Sequence, residues 1–335
     1  MKRLALLLMV MVLCTSCATL PGEERCFALV LCMETDNGLF SVSARVPSYQ
    51  KAGDYLTLSA QGTTLQEALA QLDGLAPMRL HYGQLRLITV GRDLASSEHF
   101  MPALTLLFSR ADFRADAALC ITEDSPQAIC DAMVPQTGTR LSKALDVLLE
   151  TRRALGLIPA TTLGQVQQMG ERQCPTAAAL SLGEDEQEPI QLEGAYLINA
   201  DGQVQGRLTS AQTQVLSLLS GRFKKGMLML PEGTVTLTDA SASADLRDGW
   251  IHVRVSVRFG TTSLTAEGVQ EGLTRAVFEL SGLLADARCD ALGLARYAIR
   301  SCADAQAWAE MDWPVRYPGL PWRVGVTAAG EARTE

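Results

Sequence analysis

Apolar and polar positions along this chain switch between a two-residue and a 3.6-residue period, and the switches mark its elements. From Phe27 to Val46 two alternating apolar stretches flank Asp36-Asn37-Gly38. An Asn-Gly pair supplies the positive φ angles of a tight hairpin, so this region is predicted as a pair of strands. The period then changes. Leu65, Ala68, Leu69, Leu72 and Leu75 fall on one helical face, Thr64 and Glu67 stand at capping-box spacing, and Pro77 ends the run. Arg79 to Gly91 is rich in aliphatic and β-branched residues and reads as one strand covered on both faces. A helix followed by a buried strand predicts a layered α/β unit.

The same reading predicts a helix over Phe100 to Ser109, a strand from Ala117 to Thr122, and an amphipathic helix on Leu141, Ala144, Leu145 and Leu148 that Gly156 and Pro159 terminate. Between Gln173 and Pro189 periodicity is lost in Gly183-Glu184-Asp185-Glu186-Gln187-Glu188-Pro189, the expected interdomain linker. Beyond it a hairpin turns at Asp201-Gly202, and Thr209 with Gln212 opens a capped helix that ends near Gly221. Val235 to Thr238 and the alternating Ile251, Val253, Val255, Val257 and Phe259 read as strands. Val269, Leu273, Val277, Leu280 and Leu284 read as a long helix, and Trp322, Val324 and Val326 as a last strand. The predicted class is α+β or α/β, multi-domain, with mixed β-sheets flanked by helices. Its expected parts are a signal peptide at 1–16, an α/β domain at 17–172, the acidic linker at 173–189 and a second α/β domain at 190–335.

The signal assignment comes from a third pattern. Lys2 and Arg3 precede an apolar run from Leu4 to Leu13, which stops at Cys14-Thr15-Ser16-Cys17. As a helix such a run rises roughly 15 Å, half the hydrocarbon core, so it is an export signal and not a spanning helix. Small Thr15 and Ser16 ahead of a cysteine resemble the site that the bacterial lipoprotein peptidase accepts. The resemblance implies that Cys17 becomes the first mature residue, carrying S-diacylglycerol and an N-linked palmitoyl chain. The body that follows is then expected on the extracytoplasmic face of the membrane, held by lipid.

Composition narrows the chemistry. The 335 residues are 47% hydrophobic, ample for real cores, and the formal charge of −8 excludes polyphosphate as a natural partner, so no nucleic acid is expected. Cys26, Cys32, Cys120, Cys130, Cys174, Cys289 and Cys302 show no C-x-x-C spacing and read mostly as buried free thiols. His81, His99 and His252 lack the spacing of a zinc site, His81 reads as a hydrogen-bonded structural residue, and no nucleophile elbow, P-loop or H-E-x-x-H occurs. No catalytic residue, metal or cofactor is therefore assigned. Glu184, Asp185, Glu186 and Glu188 read as a solvated acidic run, and Arg110, Asp112 and Arg114 as a salt-bridged turn. Trp308, Trp313, Tyr317 and Trp322 gather near the end, as core or as a docking surface.

Several segments in order carry a resemblance. They are Gly62-Thr63-Thr64-Leu65 with Ala68, then Leu80-His81-Tyr82-Gly83-Gln84-Leu85, the Arg110 to Arg114 segment, Gly206-Arg207-Leu208-Thr209, Lys224-Lys225-Gly226, and Asp290-Ala291-Leu292-Gly293-Leu294. Together they resemble the Ger(x)C family, lipoprotein subunits of nutrient germinant receptors in endospore-forming bacteria. The chain departs from the family at Ala18-Thr19, where a Trp-Asp pair is common, and at Gln84, often His. The resemblance implies a non-enzymatic lipoprotein at the spore inner membrane that docks with polytopic membrane subunits, which themselves bind the germinant. An extracytoplasmic solute-binding lipoprotein of a transporter is the alternative expectation.

Overall fold

The computed structural model describes residues 25–48, 53–135, 139–169, 173–185 and 188–330. The expected export signal and Cys17 lie outside these residues. In chain order the first elements are β1 (Arg25–Phe27), β2 (Val30–Asp36), β3 (Leu39–Pro47), β4 (Tyr55–Gly62), α1 (Leu65–Leu75), β5 (Arg79–His81), β6 (Leu87–Gly91), α2 (Arg92–Ala95), α3 (Phe100–Ser109), β7 (Ala118–Thr122), α4 (Pro126–Ala132), α5 (Leu141–Ala154), α6 (Leu163–Met169) and β8 (Thr176–Asp185). The rest follow as β9 (Glu188–Ile198), β10 (Val204–Leu208), α7 (Ser210–Leu219), β11 (Gly226–Leu230), β12 (Gly233–Arg247), β13 (Trp250–Thr262), α8 (Ala266–Asp286), α9 (Ala295–Ser301), α10 (Ala305–Met311), α11 (Trp313–Arg316) and β14 (Trp322–Gly330).

The large sheet has eight strands in the order β10-β9-β8-β7-β6-β2-β3-β4. Its middle is parallel, β2 with β6, β6 with β7 and β7 with β8, and each side is finished by antiparallel neighbours. All five residues of β6 and of β7 are buried, as strands covered on both faces require. One face packs against α1, α3 and α6 through residues such as Leu69, Leu72, Phe100, Leu104 and Val166. The other packs against α4 and α5 through Ile129, Leu141, Leu145 and Leu149. From β2 the chain steps to β3 and β4 on one side and then returns to β6, β7 and β8 on the other, so the strand order reverses between β2 and β6.

Local signals explain most of these elements. Asn37 and Gly38 take φ of 49° and 81° at the β2–β3 turn, the left-handed pair that such a hairpin needs. Thr64 caps α1 by accepting the Glu67 amide at 3.1 Å, but the Glu67 carboxylate reaches the Thr63 amide and hydroxyl, one residue earlier than a reciprocal box. Thr209 and Gln212 form the full reciprocal box on α7. Val269, Leu273, Val277, Leu280 and Leu284 are fully buried along α8, against Ile251, Val253, Val255, Val257 and Phe259 of β13. The four-stranded sheet β11-β12-β13-β14 turns that face to α8 and its polar face outward, where Arg258 pairs with Asp239 and Arg247 with Asp245.

Two expectations are corrected. Arg79 to Gly91 is not one strand: Tyr82 and Leu85 are fully buried within a turn closed by the Leu85 amide on the Tyr82 carbonyl. That turn sends β5 to a separate pair with β1 and β6 into the large sheet. The acidic segment is not a linker either. Thr176–Asp185 and Glu188–Ile198 are the antiparallel strands β8 and β9, with Leu182 opposite Ile190 and Asp185 opposite Glu188. Glu184, Asp185 and Glu188 are exposed to solvent, while the backbone is held by the ladder.

The two halves are consequently joined through a common core. Along β9 and β10, Tyr196, Ile198 and Val204 face the helices of the first half. Ala195, Leu197 and Leu208 face Val215, Leu280, Leu284 and Leu294 of the second. Strand alternation alone sends successive side chains to opposite faces, so one hairpin serves both halves.

Candidate functional site

A cavity of about 530 Å³, in the range that small ligands occupy, lies where the halves meet. Met101 and Val166 wall it from the first half, Asn199 to Gly202 of the β9–β10 turn form one rim, and Arg288, Trp308, Asp312 and Trp313 close it from the second. Gly202 is required at that rim: its φ is 78°, and a Cβ there would sit 2.1 Å from Met101 Cγ.

Asp290 organises the floor. After α8 the chain turns at Arg288, which takes a left-handed φ of 48°, and Gly293 takes φ of 67° three residues past the aspartate. The Asp290 carboxylate, 3% exposed, accepts the Leu294 amide at 2.8 Å, the Ala295 amide at 2.7 Å and the Trp313 indole N–H at 3.1 Å. It thus caps α9 and fixes the indole of α11 in one stroke. Burial pushes the Asp290 carboxyl up, and the three donors pull against that shift. The Asp-x-x-Gly segment of the sequence is therefore a structural knot and not an exposed acid. Trp313 and Tyr317 are buried beside it at a ring separation of 5.7 Å, and Trp308, half-buried, lies 6.3 Å from Trp313. Trp322 belongs to β14 and packs elsewhere on the same core. Of the four aromatic residues grouped from sequence, Trp308, Trp313 and Tyr317 line the cavity and Trp322 does not.

The basic turn is a second knot. Arg110 holds Asp112 by two hydrogen bonds of 3.1 Å and Asp73 at 3.4 Å, and its guanidinium lies 5.0 Å over Tyr82 and 5.3 Å over Phe113. The Tyr82 hydroxyl donates to Asp73 at 2.9 Å, and its ring stacks on Phe113 at 4.3 Å. Arg114 pairs with Asp116. The salt-bridged turn expected from the alternating charges is what the structure contains, with Asp73 of α1 and Asp116 added. Arg110→Ala strands Asp73 and Asp112 together and is expected to cost about 2 kcal/mol in urea denaturation, against about 1 kcal/mol for Tyr82→Phe.

The remaining sequence candidates are dispersed. His81 Nδ1 accepts the Gly83 amide at 3.0 Å and the ring meets Phe27 edge-on, the structural role expected of it. His99 stands exposed before α3 and His252 lies on the outer face of β13. Among the described residues no group of three or more His, Cys, Asp and Glu side chains is placed to hold a metal ion, and no helix is long and apolar enough to cross a membrane. Sequence reasoning had no signal for the role of Asp290 as hub of α9 and α11, because its partners lie up to 23 residues away.

Residues 22–182 match the family described as the spore germination protein N-terminal domain. The matched stretch is just under half of the chain. Its fold is similar to that in the crystal structure of the GerBC protein, with a TM-score of 0.53 over 90% of this chain and 97% of that one at 14% identity. No curated protein sequence matches the chain.

Proposed function

We propose that this protein is the membrane-anchored lipoprotein subunit of a spore nutrient germinant receptor, that it is not an enzyme, and that it works by docking with polytopic membrane subunits. The match of residues 22–182 to the spore germination domain carries this reading. The export signal ahead of Cys17 supports the anchor, and the mutual satisfaction of Asp290, Arg110 and their partners supports a binding scaffold over a catalytic centre. Two fatty chains or more on Cys17 give lasting membrane attachment, since each buried methylene contributes about 0.8 kcal/mol. Confinement to the membrane plane raises the effective concentration of the domain near its partners, so a modest contact suffices.

Cys17→Ala is expected to release the chain into the aqueous fraction and to abolish nutrient-triggered germination through its receptor. Germination by a non-nutrient route should be unchanged. Retention at the membrane with a full nutrient response in Cys17→Ala spores would overturn the proposal.

A further inference from the structure

Six of the seven described cysteines are buried, and four of them fall in two core neighbourhoods: Cys32 with Cys130, and Cys174 with Cys289. The second pair differs from the first in its surroundings. Cys174 precedes β8 and Cys289 follows α8, so the pair joins the two halves of the molecule. The Cys174 amide donates to the Asp290 carbonyl at 3.1 Å, and its sulfur lies 3.9 Å from the Arg288 carbonyl oxygen. Those contacts flank Cys289 on both sides and bring the Cys174 side chain beside it. Cys174 also lines the wall of the cavity and is 9% exposed, whereas Cys289 is fully buried. Cys32 and Cys130, 1% and 0% exposed, line none of the described cavities.

We infer that Cys174 and Cys289 close to a disulfide across the junction of the halves, with the cavity as the route by which the oxidant arrives. The inference departs from the reading of the cysteines as mostly buried free thiols, and it rests on the proposed export of the chain to a compartment where disulfides persist. The oxidant is a small or protein disulfide, RSSR. The Cys174 thiolate attacks one sulfur of RSSR and expels RS⁻, leaving a mixed disulfide. Cys289 then passes its proton to RS⁻ and attacks the Cys174 sulfur, releasing the second RS⁻, which takes the Cys174 proton from solvent. Two electrons pass from the protein to RSSR, which leaves as two RSH. Environment assigns the order: the neighbouring Cys289 thiol and the Asp290 amide hold the Cys174 thiol below the ordinary thiol range, while burial pushes Cys289 up.

The test uses the full chain, reduced and then exposed to oxidised glutathione. Expected are the loss of two titratable thiols, a peptide cross-link between Cys174 and Cys289, and Cys32 and Cys130 still open to alkylation after denaturation. Reducing the bond should lower the melting temperature by about 5 °C. Cys289→Ser, with Cys289→Ala in reserve should serine fail to fold, should stop at a glutathione adduct on Cys174. A folded chain that forms no cross-link, or that joins Cys32 to Cys130 first, overturns the inference. Chain trapped from cells by rapid alkylation separates the two readings. Lipidated chain with Cys174 and Cys289 both free overturns the disulfide alone; unlipidated chain that closes the bond in glutathione overturns the proposed anchor and leaves the pair's chemistry intact.

Discussion

Asp290→Ala is expected to lose about 3–5 kcal/mol of stability, the most damaging single change in the second half, because three N–H donors then remain in a dry interior with no acceptor. Two of those donors begin α9 and the third fixes Trp313, so the loss spreads from a cap to the packing of Trp313 on Tyr317. Urea denaturation followed by tryptophan fluorescence reads both effects at once. Asp290→Asn keeps one acceptor oxygen and should fall between alanine and wild type. The pH dependence has a defined sign. Folding raises the Asp290 carboxyl, chiefly by burial. Its contribution is therefore full below the unfolded-chain value of about 3.9 and declines as pH rises through the folded value. The stability gap between wild type and Asp290→Asn should accordingly narrow as pH rises above the unfolded-chain value. A gap that widens with rising pH would show the three donors outweighing burial.

The second large effect is expected at Gly194. In β9 the register with β8 shifts between Ala178 and Leu180, and Gly194 occupies the extra position with φ of 88°. Its amide leaves the ladder to reach the Leu157 carbonyl at 2.8 Å, and a Cβ would lie 2.5 Å from the Leu208 carbonyl oxygen. That oxygen belongs to the backbone of the neighbouring strand and cannot swing aside. Gly194→Val thus combines a disfavoured backbone angle with a main-chain clash, and a loss of about 4 kcal/mol is expected, read as a lower urea midpoint. Gly282 is the control. It lies within α8 with nothing near its missing Cβ, and Gly282→Ala should gain about 0.5–1 kcal/mol from helix propensity and reduced unfolded-state freedom. Equal losses at Gly194 and Gly282 would remove the geometric argument.

Elements whose cause is local were legible in the sequence. The hairpin at Asn37-Gly38, the capped helices after Thr64 and Thr209 and the long apolar face of α8 each follow from residues within a few positions of one another. What escaped was set at a distance. The break after His81 depends on Tyr82 finding Asp73 on α1, and the pairing of β1 with β5 follows from it. The acidic hairpin was hidden because charge and lost periodicity mark a solvent-facing tip as readily as a linker. The short helices α9, α10 and α11 are pinned by Asp290 and Asp304 and not by a periodic face; α10 has no buried residue at all. The lipid site at Cys17 is a proposal drawn from its neighbours in the sequence and lies outside the described residues.

The hairpin that both halves share has a bearing on how such a chain can be cut or recombined. The stretch matching the family domain stops at 182, midway along β8, whose next neighbour in the sheet is still to come. A fragment ending there would present a raw ladder of unpaired amides and carbonyls beside bared Ala177 and Leu180, an invitation to self-association. Sequence kinship and autonomous folding have different borders in this molecule, and any transplant between relatives must carry the strands through Leu208 to travel intact.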